Sequence, residues 1–224
     1  MHDPIFQDRQ DAGLQLAAAL ERFRSSNPLI LALPRGGVPV AFEIACALEA
    51  ELDLVFVRKL GAPGYPEFGN GAVVDGADPQ LVLNGAIVRQ IAPGRAYIES
   101  EYRRQLAEIE RRRSAYAGSR APIPAAGRTV IVVDDGIATG GTVRAALQAL
   151  RKTGPTRLVL AVPLAPADVV QALGAECDEI VCLAMPEPFE AVGAHYGDFT
   201  QTSDEEVVAL LRRAAVFADG PALR

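Results

Sequence analysis

Short apolar runs, each followed by a stretch with helical spacing, leave this chain few folds to choose from. The runs are Pro28–Leu33, Leu52–Val57, Thr129–Val133, Arg157–Val162 and Glu179–Ala184. Apolar runs without polar alternation mark strands buried on both faces, as in parallel sheets covered by their crossover helices. Helices are expected over about 38–50, 141–152 and 166–173, with a first helix over 8–24 and a last one over 204–216. Ser203 with Glu206 is a capping box for the last. The fold class expected is therefore α/β, a doubly wound, mainly parallel sheet. Half of the 224 residues are hydrophobic, so a single domain over 1–224 can bury such a core.

Residues 61–127 break the rhythm and read as an insertion. Gly61–Gly71, rich in Gly and Pro, is expected as a loop; Ala72–Val74 and Leu81–Leu83 form a short strand pair. A long charged helix over 95–116 carries a narrow stripe of Ile98, Tyr102, Leu106, Ile109 and Tyr116. Glu99 with Arg103 and Glu108 with Arg112 support it at i,i+4 spacing. Gly118–Gly127 reads as a linker. The arginines Arg103, Arg104, Arg111, Arg112 and Arg113 lie among glutamates without an aromatic ladder, so they read as a solvated face rather than a nucleic-acid surface, the alternative being a lid whose arginine reaches a phosphate.

A net charge of −6 argues against nucleic acid and membrane surfaces as partners. No run approaches the roughly 20 apolar residues that span a bilayer, and Met1–Pro4 has no leader-like pattern. The Cys177–Cys182 spacing fits no common zinc pattern, and Cys46 lies in an apolar helical stretch, so the thiols read as reduced and the chain as cytoplasmic.

The segment with chemistry in it is Thr129–Thr142, TVIVVDDGIATGGT. A buried strand ends in Asp134 and Asp135, and small residues lead into a helix. In a doubly wound sheet, ligands bind at the carboxyl ends of the strands. Backbone amides of Gly136, Ile137, Ala138, Thr139, Gly140, Gly141 and Thr142, two threonine hydroxyls and a helix N-terminus suit a phosphate monoester. Asp134 and Asp135 suit vicinal hydroxyls, directly or through a magnesium shell. A Walker loop would need a lysine here, and Gly69–Gly71 is misplaced for a dinucleotide fingerprint.

VVDDGIATGGT resembles the signature of type I phosphoribosyltransferases, which bind 5-phosphoribosyl-1-pyrophosphate (PRPP). It is most similar to the adenine phosphoribosyltransferase version. Ala138 stands where enzymes for 6-oxopurines carry an Asp, which disfavours that acceptor. Leu33–Val38 (LPRGGV) resembles the family's pyrophosphate loop, and Val57–Leu60 ends the strand where the family places a basic residue. The resemblance implies the type I fold with its inserted segment and small hood. It assigns Asp134, Asp135, Arg35 and Lys59 to catalysis, and Arg35, Gly36, Gly37 and Lys59 to pyrophosphate. It implies a cis bond at Pro34–Arg35, Mg2+ as cofactor with Asp134 and Asp135 facing it, and residues 61–127 as a flexible lid.

The reaction implied is transfer of the phosphoribosyl group to a nitrogenous, nucleobase-like small-molecule acceptor with release of pyrophosphate. The alternative is a PRPP sensor without turnover. The hood is expected over 185–203, with Phe189, His195 and Tyr196 toward the acceptor and Asp198 as a further magnesium candidate. Packing of these aromatics beneath the last helix is the other reading of that segment. A homodimer is an option.

Overall fold

The computed structural model describes residues 3–62, 65–83, 85–118 and 120–217. Its main sheet is parallel throughout, in the order β2–β1–β6–β7–β8: Glu51–Leu54, Leu29–Ala32, Thr129–Val133, Arg157–Leu164 and Glu179–Ala184. Alternate residues of each strand serve opposite faces. Ile30, Ala32, Ile131 and Val133 meet α1 (Arg9–Leu20), α2 (Gly37–Leu48) and α7 (Asp204–Ala214). Leu29, Leu31, Val130 and Val132 meet Val143, Ala146, Leu147 and Leu150 of α5 (Gly141–Lys152). α6 is Ala167–Leu173, and Ser203 caps α7 by accepting the Glu206 amide. The doubly wound α/β class expected from the apolar runs is the one observed.

Sequence order reverses between β1 and β6. From β1 the chain moves outward to β2; from β6 it moves the other way to β7 and β8. The turns after β1 and β6 therefore diverge and leave a crevice at the switch point.

The inserted segment differs from its expectation. Within Gly61–Gly71 the described residues are strand rather than loop: β3 (Val57–Ala62) and β4 (Tyr65–Val74) pair antiparallel, and β5 (Gln80–Leu83) adds a third strand. Register shifts at Leu60–Ala62 absorb the irregular sequence. A Cβ on Gly71 would lie 2.1 Å from the Val82 carbonyl oxygen, so glycine there permits close strand approach rather than a turn. The strand expected over 52–57 is likewise split, β2 ending at Leu54 and β3 starting at Val57. The helix expected over 8–24 ends at Leu20 and tightens into a 3₁₀ turn, Glu21–Ser26.

After α3 (Gly85–Ile91), α4 (Arg95–Ala117) packs against β3 and α7 through its stripe, with Ile109 fully buried. Arg113 corrects the reading of a wholly solvated arginine face. It is buried, pairing with Asp53 at 2.9 Å and Asp75 at 2.9 Å, because its turn of α4 sits over the ends of β2 and β4. Cys46, Cys177 and Cys182 are unpaired thiols. No helix among the described residues is long and apolar enough to cross a membrane.

Candidate active site

The two diverging turns touch. After β1, the Leu33 amide donates to the Val133 carbonyl of β6 (2.9 Å), the Pro34–Arg35 peptide is cis, and Gly36 and Gly37 lead into α2. A Cβ on Gly36 would lie 2.0 Å from Asp135 Oδ2, and one on Gly37 2.7 Å from the Val133 carbonyl oxygen. Only glycine lets this turn settle on the aspartates.

After β6, Gly140 takes the left-handed conformation (φ 74°), and a Cβ there would stand 2.9 Å from Val169 Cγ1. Gly141 faces open space, and Ala138, Thr139 and Thr142 are exposed. The first amides of α5 have no intrahelical acceptor, so this rim offers N–H donors of the kind that suit an anion. Ile137 was expected among the phosphate-binding amides. Instead its amide donates to the Leu164 carbonyl (3.0 Å) and its side chain is buried, so it anchors the turn to β7.

Asp134 Oδ1 accepts the Asp135 amide at 3.0 Å, and Asp134 lines the cavity beside it. Asp135 is held from two sides. Arg9 Nε donates to its Oδ2 at 2.7 Å, and the Tyr196 hydroxyl donates to its carbonyl at 2.6 Å. Arg9 also donates to the Thr200 carbonyl (2.7 Å), with its guanidinium 3.9 Å from the Phe199 ring centroid. Burial pushes both carboxyls above the ordinary range; Asp135 adds repulsion at Asp134, and Arg9 opposes the rise at Asp135.

A cavity of about 470 Å³ opens at the β2–β1 end of this crevice, with Arg35, Arg58, Arg111, Arg112, Tyr116, Asp134, Thr142 and Asp204 in its walls. Asp204 accepts from Arg35 Nη1 (3.2 Å) and from the Tyr116 hydroxyl (2.7 Å), and the Tyr116 hydrogen bond holds its carboxyl below the usual range. Tyr116 stacks on Phe56 with centroids 6.0 Å apart. Lys59 is not in this cavity. It lines a neighbouring hollow with Thr142 and Arg144, because successive residues of β3 point to opposite faces. The β3 cation that faces Asp134's cavity is Arg58, one residue earlier.

The segment after β8 reaches the site from the other side. A Cβ on Gly136 would lie 2.6 Å from Val192 Cγ1, so the 3₁₀ turn Val192–His195 sits directly on the aspartate turn. Phe189 and His195 rings are 5.3 Å apart, and His195 Nε2 is buried without a hydrogen-bond partner among the described residues. Tyr196 is only 6% exposed, packed between Phe6 and Phe199 with centroids 5.5 and 5.0 Å away. Its ring faces are taken by this chain, which is the packing reading rather than an acceptor contact. Asp198 accepts from the Thr200 amide and hydroxyl. Residues 5–7 strap the segment down: the Ile5 and Phe6 amides donate to the His195 carbonyl, Gly197 donates to Phe6 and Asp198 to Gln7.

A family model described as "Phosphoribosyl transferase domain" matches residues 9–182, most of the chain and both diverging turns. The chain belongs to the phosphoribosyl transferase family. Two Mycobacterium tuberculosis proteins, from strains CDC 1551 and H37Rv, are named provisionally as phosphoribosyl transferases; each is 49% identical over 210 residues, 94% of this chain. The match covers 47% of each, so the chain spans about half the length of these curated relatives. The crystal structure of the Thermus thermophilus protein TT1426 is similar at 45% identity and a TM-score of 0.81, covering 93% of this chain and 98% of that one.

Phosphoribosyl transferase membership brings magnesium into question as the accompanying ion. The aspartates are hard oxygen donors that suit it. Yet Asp135 is committed to Arg9, and no cluster of three His, Cys, Asp or Glu side chains that could hold a metal occurs among the described residues. Asp134 and Asp135 are the residues that would border such an ion, whose remaining oxygens would have to come from ligand and water. Arg9, Arg58, Tyr116 and Asp204 were not singled out from the sequence. Arg58 alone left a signal, as the neighbour of Lys59 at a strand end.

Proposed function

We propose that the chain transfers the 5-phosphoribosyl group of PRPP to the nitrogen of a small, nucleobase-like acceptor, releasing pyrophosphate. The observation that carries this reading is the juxtaposition at the switch point: an anion seat at Ala138–Thr142, carboxylates at Asp134 and Asp135, and the Arg35 turn resting on them. The 5-phosphate occupies the seat. Asp134 binds the ribose hydroxyls, and Asp135, braced by Arg9, holds the shape of the turn. Arg35 meets the diphosphate. Magnesium, when bound, draws charge from the diphosphate oxygens; Asp134 and Asp135 are the residues that border it.

In the transfer, the acceptor nitrogen's lone pair forms a bond to ribose C1. The C1–O bond breaks, its electron pair leaves on the diphosphate, and the acceptor N–H proton passes to a base or to water. The transition state has oxocarbenium character, so holding the partners in line and neutralising the leaving group supply the acceleration. Val192, Phe189 and His195 form the acceptor side, with the unpaired His195 Nε2 as the polar group there. The site is that of one domain, with residues 61–127 closing its diphosphate side.

The test is release of pyrophosphate from PRPP and magnesium across a panel of nucleobases. Turnover with one of them, lost in Gly140→Val, is the expected result. PRPP binding without release from any acceptor would move the assignment to a sensor. No PRPP binding at all would overturn the reading.

A further inference from the structure

The arginines that β3 and α4 present to the cavity are assigned no role above. We propose that Arg58, Arg111 and Arg112 bind the leaving diphosphate together with Arg35, so that α4 is the outer wall of a diphosphate site. This rests on the phosphoribosyl-transfer reading and adds to it residues from the inserted segment.

Position is the first support. The cavity lies at the β2–β1 end of the sheet, where Arg35 stands. Val192 approaches Gly136 from beyond β8, at the opposite end. Asp134 lies between the two. In a displacement the incoming and outgoing groups occupy opposite sides of the reacting carbon. The leaving group therefore belongs to the β2–β1 end and the acceptor to the β7–β8 end.

Charge divides the same way. Arg35, Arg58, Arg111 and Arg112 all line the cavity, against Asp134 and Asp204. The segment after β8, residues 185–203, contains no Lys or Arg and three Asp or Glu, and the cation beside it, Arg9, is taken up by Asp135 and the Thr200 carbonyl. A multiply charged anion is attracted to one end and repelled from the other.

The present partners of these arginines are side chains of the same chain, of which Asp204 also lines the cavity. Glu108 accepts from Arg111 Nε and Nη2 (2.9 Å each) and from Arg112 Nε (2.8 Å), and these guanidiniums hold its carboxyl down at about 2. Asp204 accepts from Arg35, and Gln105 from Arg58. The exposed ion pairs of Glu108 and Asp204 orient the guanidiniums and stabilise little. A diphosphate offers the same forks more oxygens and more charge, the partner for which guanidinium geometry is best suited.

The test is calorimetric titration of the full chain with inorganic pyrophosphate and magnesium, beside ribose 5-phosphate, which lacks the diphosphate. The double variant Arg111→Gln/Arg112→Gln should weaken pyrophosphate binding by about tenfold or more and leave ribose 5-phosphate affinity unchanged. Arg58→Gln should weaken pyrophosphate several-fold, while Arg103→Gln, an exposed α4 arginine paired with Glu99, should match the parent. Should the double variant fail to fold by circular dichroism, Arg112→Lys, which keeps charge but not the fork, should bind pyrophosphate at an intermediate affinity. A folded double variant, or Arg112→Lys in its place, that binds pyrophosphate like the parent overturns the wall. A parent chain that binds PRPP but not pyrophosphate overturns it too. A parent that binds none of the three ligands removes the phosphoribosyl reading as well.

Discussion

Asp135 takes a guanidinium from Arg9, lies under Gly36 and offers its carbonyl to Tyr196, all beside a second half-buried carboxyl, Asp134. Burial lifts both above their ordinary 3.8, most strongly at Asp134. A carboxyl whose folded pKa exceeds its unfolded one favours folding while protonated. Its contribution is complete below about pH 3.9 and is lost as pH rises through the folded value, at about 1.4 kcal/mol per unit of difference. Urea unfolding of the ligand-free chain, stepped from about pH 4 toward neutrality, should thus fall more steeply for the parent than for Asp134→Asn. Parallel curves would mean that the pair carries no such strain. The aspartates and the paired glycines were legible in the sequence because strand, turn and helix are contiguous there. Arg9 was not: its partner is 126 residues away, and nothing local marks its side of α1 as special.

At the scale of elements, α4 shows what pattern reading captures and where it stops. Its glutamate–arginine spacings and its apolar stripe are local features, and both are found: Arg103 pairs with Glu99, and Ile109 sits in the core. Arg113 belongs to the same charged run yet bridges Asp53 and Asp75 in the interior and donates to the Leu54 carbonyl. No local rule separates it from Arg112, since its partners lie 60 and 38 residues away. Arg113→Met would keep the apolar stem and leave Asp75 without its cation and Asp53 with Arg120 alone. Breaking a buried pair from one side costs about 3–5 kcal/mol, a loss that urea denaturation of the variant should register. A change below about 1 kcal/mol would show that water reaches these carboxylates. The β3–β4 pairing was hidden for a related reason. Glycine reads locally as a turn, and only the facing Val82 carbonyl makes Gly71 a strand residue.

For the molecule as a whole, the parallel sheet and its switch point were legible from the spacing of apolar runs, while the three-stranded annex and the strap of residues 5–7 came from long-range pairing. A ligand that binds only the folded form stabilises it by about 2.7 kcal/mol at a hundredfold excess over Kd. For a chain of this size, PRPP with magnesium at that excess should raise Tm by about 5–10 °C. Most of that shift should vanish on chelating magnesium; a shift indifferent to chelation would remove the ion from the site. The strap has a consequence in time as well as in space. Asp135 reaches its final setting only when Arg9, Gly36 and Tyr196 have all arrived, and the site-side wall needs Asp204. On a ribosome, the N-terminal helix would wait with its guanidinium uncommitted while most of the sheet is made. The pocket would close only once residues near 204 have cleared the exit tunnel, so a stalled or truncated nascent chain would carry a nearly complete sheet and no finished site.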